Sequence, residues 1–337
     1  MPFIVRKFVQ EAQPLLYIES TMPKNFAITG VSGYVAPRHL KAIKDTGNVL
    51  VAAVDPHDSA GILDQYFENV SFFTEFERFD RHLDKLRRKD SGGEVHYISI
   101  CSPNYLHDAH CRLALRIGAD AICEKPVVLN PWNIDALQEL EQESGKRIYT
   151  ILQLRVHPTL IELKKKLQSD KSGKKHQVVL TYITSRGPWY LMSWKGQVER
   201  SGGLVTNIGV HFFDLLLWLF GKVKHSEVHY ADPLRAAGFI ELEHANVKWF
   251  LSIDSKDLSK GTPGATQKTY RSVSLDDSEI EFSEGFTDLH TVVYKETLAG
   301  RGFGLETARP SIELVHDIRE AKAIGLNENT HPRLKKQ

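Results

Sequence analysis

Residues 26–36 read Phe26-Ala27-Ile28-Thr29-Gly30-Val31-Ser32-Gly33-Tyr34-Val35-Ala36. The opening apolar triplet suits a buried strand, and Ala36, Leu40 and Ile43 then recur at the spacing of one helix face. Between them lies Gly-x-x-Gly-x-x-Ala, one residue longer than the usual Gly-x-Gly-x-x-Gly. Small residues at a strand-to-helix turn let backbone N–H groups approach a pyrophosphate, whose charge the helix N-terminus also favours. Gly30, Ser32, Gly33, Tyr34, Val35 and Ala36 are therefore candidate cofactor contacts. Asp55 strengthens that reading. It ends the next apolar run, where a carboxylate can accept hydrogen bonds from the hydroxyls of an adenosine ribose. The following Pro56-His57-Asp58 supplies no cation for a 2′-phosphate, which favours NAD over NADP.

Working outward from the turn, Gly47 closes the first helix and Val49 to Val54 reads as a second strand. Val95 to Cys101 is a third strand beyond a charged helical stretch, and Tyr105 to Ile117 a helix ended by Gly118. Ala119 to Cys123 and Arg147 to Leu152 are further strands, and Asn130-Pro131 opens the helix between them. Strand–helix alternation at this spacing predicts an N-terminal Rossmann domain with a doubly wound parallel sheet over residues 24–152. Beyond it the texture changes. A helix from Thr159 to Leu167 precedes a strand from Val178 to Thr184, and a second helix runs from about Leu204 to Phe220. Strand-like runs follow at Phe239 to Leu242, Val247 to Ile253, Thr269 to Val273, Glu279 to Phe282 and His290 to Tyr294. Ile312 to Ala323 makes a last helix. Consecutive strands predict a C-terminal α+β domain, residues 153–330, with a mainly antiparallel open sheet. The outer face of such a sheet needs a cover, so a homodimer or homotetramer is expected. Residues 1–22 lack the uninterrupted apolar core of a signal peptide and read as an extension of uncertain status.

The chain has 337 residues, enough for two domains, and 42% hydrophobic and 25% charged residues. Lys plus Arg (43) balances Asp plus Glu (42), which points away from nucleic acid or a membrane surface as the main partner. No apolar stretch reaches the ~18 residues that span a bilayer. Cys101, Cys111 and Cys123 lie in apolar runs and read as reduced core residues of a cytoplasmic protein.

Two further motifs carry chemistry. Glu124-Lys125-Pro126 follows the fourth strand, and ligands of open parallel sheets bind beyond such strand ends. The second is Gly202-Gly203 followed by Asn207, His211 and Asp214 in an otherwise apolar helix. Asn207 and His211 are four apart and share a helix face. Oxidation of a secondary alcohol needs a base for the hydroxyl proton and a donor to the same oxygen, and His211 and Lys125 divide these roles. His211 is the favoured base, with Lys125 the alternative. Ser102, Asn104 and His107, where the third strand meets its helix, lie near the expected nicotinamide position, and Glu124 and Lys125 face it. His107 and His110 are three apart, but a convincing third metal ligand is missing, so no metal is expected.

These motifs resemble the glucose–fructose oxidoreductase/inositol dehydrogenase family, whose pattern is Glu-Lys-Pro and then Gly-Gly-x(3)-Asp-x-Gly-x-His-x-x-Asp. The first Asp of that pattern is Asn207 here. Four segments (30–39, 100–110, 151–158 and 185–196) resemble UDP-N-acetylglucosaminuronate 3-dehydrogenases of bacterial O-antigen assembly. The resemblance implies NAD-dependent oxidation of a UDP-sugar uronate at C3, for lipopolysaccharide synthesis. It also implies that some such enzymes use 2-oxoglutarate to regenerate NAD. An anionic substrate would suit Arg38 and Arg155. Trp189, Tyr190 and Lys195 would contact sugar or uracil, beside Lys125, Asn207 and His211. The alternatives are a dehydrogenase of an inositol or simple sugar and a non-catalytic NAD-binding sensor.

Overall fold

The computed structural model describes residues 22–335, except 59, 89–91, 171, 259–267 and 281–287. The reading of residues 1–21 therefore lies outside the described residues. Two six-stranded sheets organise the rest. In the first, β1 (Asn25–Thr29), β2 (Val49–Val54), β3 (Ser71–Phe73), β4 (Tyr97–Ile100), β5 (Asp120–Cys123) and β6 (Ile148–Thr150) are arranged in the order β3-β2-β1-β4-β5-β6. Every pairing is parallel. The crossovers are α1 (Ala36–Asp45), α2 (Phe76–Arg87), α3 (His107–Arg116) and α4 (Pro131–Ser144). The order reverses between β1 and β4, and that switch point is where open parallel sheets bind ligands. Phe26, Ile28, Leu40 and Ile43 are fully buried, which is what their spacing implied.

After α5 (Pro158–Ser169) the second sheet begins with β7 (His176–Thr184). The short helices α6 (Pro188–Met192) and α7 (Val198–Ser201) lead into α8 (Val210–Phe220). β8 (Val223–Ala231), β9 (Arg235–Leu242), β10 (Ala245–Ser252), β11 (Thr269–Leu275) and β12 (Ser278–Glu279) complete it, in the order β12-β11-β7-β10-β9-β8. The pairings are antiparallel except the central one, β7 with β10, which is parallel. A parallel pair needs a long crossover, and α6 to β9 supply it. Phe213 of α8 packs edge-on against Trp249 at 5.4 Å, both fully buried. The helical run Val198–Phe220 is long and apolar enough to cross a membrane, although no single apolar stretch in the sequence suggested it; 72% of its most apolar window is buried in the protein.

Three readings are corrected. The run His290 to Tyr294 is not a strand but part of α9 (Leu289–Leu298). Its β-branched and aromatic residues yield to packing on α1, with His290 and Tyr294 both buried. β8 is not evident from the sequence, because its first residues are mostly exposed and polar, which blurs a period of two. The last helix, α10 (Leu305–Glu320), starts earlier than the apolar pattern and runs through Pro310. Of the run Glu279 to Phe282, residues 281–282 lie outside the described residues.

The chain also covers part of its own second sheet. Leu334 packs on Ile183, Ala237 and Phe250, and the ring of His331 stacks on Phe250 at 5.6 Å. Gln177 and His225, on the same face by register, stay exposed.

Candidate active site

The turn after β1 passes directly over the end of β4. Gly30 has φ of 75°, and a Cβ there would lie 2.6 Å from the Ser102 backbone nitrogen. Only glycine fits without displacing backbone. The amides of Gly30 and Gly33 donate to the carbonyls of Val54 (2.8 Å) and Gly30 (3.0 Å), which tightens the turn. Asp55 is buried at the end of β2. Its carboxylate accepts from the Ser32 amide and the His57 amide, each at 3.0 Å, so it fixes the loop and keeps one lone pair per oxygen for a ribose. Asp55→Ala should raise the KM for NAD about tenfold or more and narrow the preference over NADP. Steady-state kinetics with both cofactors would check this; an unchanged preference would overturn the reading.

Beyond this turn a cleft of about 1400 Å³ opens between the two sheets. Ser32, Gly33, Tyr34, Val35, Arg38, Asp55, Ser102, Asn104, His107, Glu124, Lys125, Trp189, Tyr190, Lys195, Asn207 and His211 all line it, with Gly30. Ala36 does not: it is buried beneath the start of α1. Arg155 is not in the lining either. Its guanidinium donates twice to the Asp214 carboxylate, at 2.9 and 2.7 Å, with the pair nearly buried. Expecting Arg155 to hold a substrate anion overlooked that Asp214, three residues after His211, is its partner. Arg186 and Arg200 line the cleft instead. Arg186 was not singled out from the sequence, although it sits at the end of β7 within the segment that carried the resemblance.

Lys125 follows β5, and its bond to Pro126 is cis. Its ammonium donates to the Asn207 carbonyl at 3.1 Å. Asn207 lies in a π-helical turn, Val205–Gly209, that leads into α8. Such turns are uncommon and concentrate at functional sites. The Asn207 side chain donates to the Tyr190 hydroxyl (2.6 Å) and faces Asn104, whose amide donates to the Ser201 carbonyl (3.0 Å). These bonds tie the loop after β4 to the second sheet's helices. His107 lies in the wall with both ring nitrogens turned to backbone carbonyls, of Pro126 at 2.7 Å and Ser102 at 2.8 Å. That geometry fits a brace between two loops better than a direct cofactor contact. Trp189 is 54% exposed at the rim, and the Lys195 ammonium lies 5.5 Å from its ring.

The electrostatics separate the two central residues. Burial pushes the Lys125 ammonium down to about 8, with Glu124 opposing and Arg186 and Lys195 assisting. Burial also holds His211 well below the ordinary histidine range, helped by the charge on Lys125. Neutral His211 can therefore accept a proton while Lys125 still carries one. Glu124 lies behind them. Its Oε1 accepts from His39 Nε2 (3.0 Å) and His290 Nε2 (2.9 Å), and its Oε2 from the Lys125 amide (3.2 Å). Among the described residues this trio forms the group with metal-type spacing, its donor atoms within 4.8 Å of one another. Direct hydrogen bonds account for that spacing. Sequence reasoning missed His39 and His290 because one hid in a helix face and the other in an apparent strand.

Residues 24–152 match the oxidoreductase family's NAD-binding Rossmann fold, and residues 164–254 its C-terminal alpha/beta domain. A crystal structure of the WlbA (WbpB) dehydrogenase from Thermus thermophilus, in complex with NAD and alpha-ketoglutarate, is 52% identical, covering 92% of this chain and 99% of that one, with a TM-score of 0.87. The chain belongs to the GFO/IDH/MocA oxidoreductase family. The same Thermus dehydrogenase with NAD and UDP-GlcNAcA matches at 51% identity, over the same shares and with the same TM-score. Among curated GFO/IDH/MocA relatives, inositol 2-dehydrogenase of Rhizobium meliloti is 24% identical over 60% of this chain, and D-glucoside 3-dehydrogenase of Escherichia coli 23% over 39%. The chain spans only 56% and 38% of the lengths of those two proteins. This member keeps the family's Rossmann domain, and the glycine turn and Asp55 fit NAD.

Proposed function

We propose that this protein is an NAD-dependent dehydrogenase that oxidises the C3 hydroxyl of UDP-N-acetylglucosaminuronate to the 3-keto sugar. The carrying observation is that one cleft gathers the Gly30 turn, Asp55, Lys125 and His211, four features spread over most of the chain. The likeness to a Thermus dehydrogenase crystallised with NAD and UDP-GlcNAcA supports the choice of substrate. Residues 24–152 would hold the cofactor, at the Gly30 turn and on Asp55, and residues 153–330 the nucleotide sugar.

Bound NAD supplies the acceptor for the hydride that leaves the carbinol carbon. The chain's own residues handle the proton and the charge. A ring nitrogen of His211 takes the hydroxyl proton. The Lys125 ammonium donates a hydrogen bond to the same oxygen and stabilises the charge that develops there. Lys125 is already aimed by the Asn207 carbonyl, so little reorganisation is needed when substrate arrives. Arg38, Arg186, Arg200 and Lys195 supply cations for a carboxylate and a diphosphate, and Trp189 supplies an exposed aromatic face.

In this reading 2-oxoglutarate is a second substrate that restores NAD, in keeping with the alpha-ketoglutarate complex of the Thermus protein. The product would feed O-antigen sugar synthesis in the cytoplasm, a location supported by three free, buried cysteines. Assembly as a homodimer or homotetramer is part of the same proposal, and the mass of the protein in solution checks it.

The test is to incubate the purified protein with UDP-N-acetylglucosaminuronate and NAD, with and without 2-oxoglutarate, and follow the nucleotide sugar by mass spectrometry. The keto product, lighter by two hydrogens, is expected in both cases, with repeated turnover when 2-oxoglutarate is present. Absence of that product in both would sink the substrate claim, and turnover of a free inositol instead would replace it.

A further inference from the structure

Glu124 is a buried carboxylate in the wall of the cleft, and no Lys or Arg side chain pairs with it among the described residues. Three segments distant in sequence converge on it. His39 comes from α1, His290 and Tyr294 from α9, and Ser99 from β4. The directions of their hydrogen bonds can be worked out. A carboxylate only accepts, so His39 Nε2 must donate to Glu124. Burial lowers the pKa of His39 and favours its neutral form, against the pull of Glu124, so Nδ1 is an acceptor. The Tyr294 hydroxyl at 2.7 Å therefore donates to Nδ1, and the Ser99 hydroxyl at 2.6 Å donates to Tyr294. The chain Ser99, Tyr294, His39, Glu124 runs one way, with His290 converging from the other side.

Burial alone would raise the Glu124 carboxyl, but hydrogen bonds from His290 and His39 prevail and hold it well below the usual carboxylate range. We propose that His39 and His290 are positioning residues for Lys125: together they keep Glu124 as a charged carboxylate beside the lysine, so a helix near the chain's C-terminus controls the charge in the cleft. The groups facing Lys125 are Glu124, Arg186, Lys195, His107 and His211, and Glu124 is the one anion among them. Those facing Glu124 are His39, His290, Cys101, Cys123 and Tyr294, with Lys125, His107 and His211 on the cleft side. The proposal rests on the dehydrogenase reading only for its kinetic consequence.

The test titrates Lys125 directly, by ¹³C NMR of lysine-labelled full-length protein, with the resonance assigned through Lys125→Arg. The wild-type midpoint is expected at about 8. Glu124→Gln removes the anion and should lower it by about one pH unit or more. His290→Leu should move it toward the Glu124→Gln value, and His290→Gln, which keeps an N–H donor, should restore it. Should Glu124→Gln fail to fold, His290→Leu and Tyr294→Phe carry the same test, the latter expected to shift the midpoint less but in the same direction. An unchanged midpoint in folded variants, even with lowered melting temperatures, would reduce the network to packing and overturn the proposal. In parallel, the basic limb of kcat/KM should fall with the midpoint. A shifted midpoint in a protein whose wild type lacks NAD-dependent turnover would instead count against the dehydrogenase reading and leave the network's role standing.

Discussion

A Lys125→Met enzyme is expected to lose at least ~100-fold in turnover of the nucleotide sugar while still binding NAD, because the donor to the reacting oxygen is gone. The pH dependence of the wild type tests the same assignment from another side. Lys125 is charged below about 8 and neutral above it. As the hydrogen-bond donor it must be protonated, so kcat/KM should fall as pH rises through about 8. His211 must be neutral to accept a proton, and its depressed pKa places the acid limb well below 6.5. Activity should then be flat between the two limbs. A Lys125 base would reverse the sign at the basic limb, with activity rising through about 8. Bell-shaped or rising, the profile decides between His211 and Lys125 as base.

The second large effect is on stability. Arg155→Met should cost about 3–5 kcal/mol, read as a lowered urea midpoint, because it strands the buried Asp214 carboxylate. Burial already raises that carboxyl, and the bidentate contact from Arg155 opposes it. With side chains 13% and 3% exposed, the pair is little screened by solvent. Replacing both residues, as Arg155→Met with Asp214→Leu, should recover most of the loss, since a buried pair is often no better than well-packed apolar groups. An Arg155→Met protein with unchanged stability but a raised KM for the nucleotide sugar would return Arg155 to substrate binding.

The parallel sheet was legible because its strands are short, apolar and separated by amphipathic helices with Gly stops, a pattern set by local burial. Gly30, Asp55, Lys125 and His211 were legible because each sits at a strand end or in a motif whose place in the fold follows from that pattern. What escaped were relations between distant segments. Asp214 looked like a motif residue until its contact with Arg155, 59 residues earlier, explained it. His290 and Tyr294 lie in a β-branched run whose helical state is decided by docking against α1, which no window of neighbouring residues contains. The parallel pairing of β7 with β10 was hidden for the same reason: pairing partners are chosen by topology, and strand propensity is silent about direction.

The covering of Glu124 by α9 has a bearing on how the enzyme is made. Glu124 and His290 are 166 residues apart in the chain. At ~5–20 residues per second, a ribosome needs on the order of ten to thirty seconds to add that length. Through that interval the first sheet can form its strands, yet the carboxylate behind Lys125 has neither His290 nor Tyr294 above it. A prematurely terminated chain would thus carry a dinucleotide fold with an unfinished centre. Synthesis and docking of α9, rather than closure of the first sheet, complete the surroundings of Glu124.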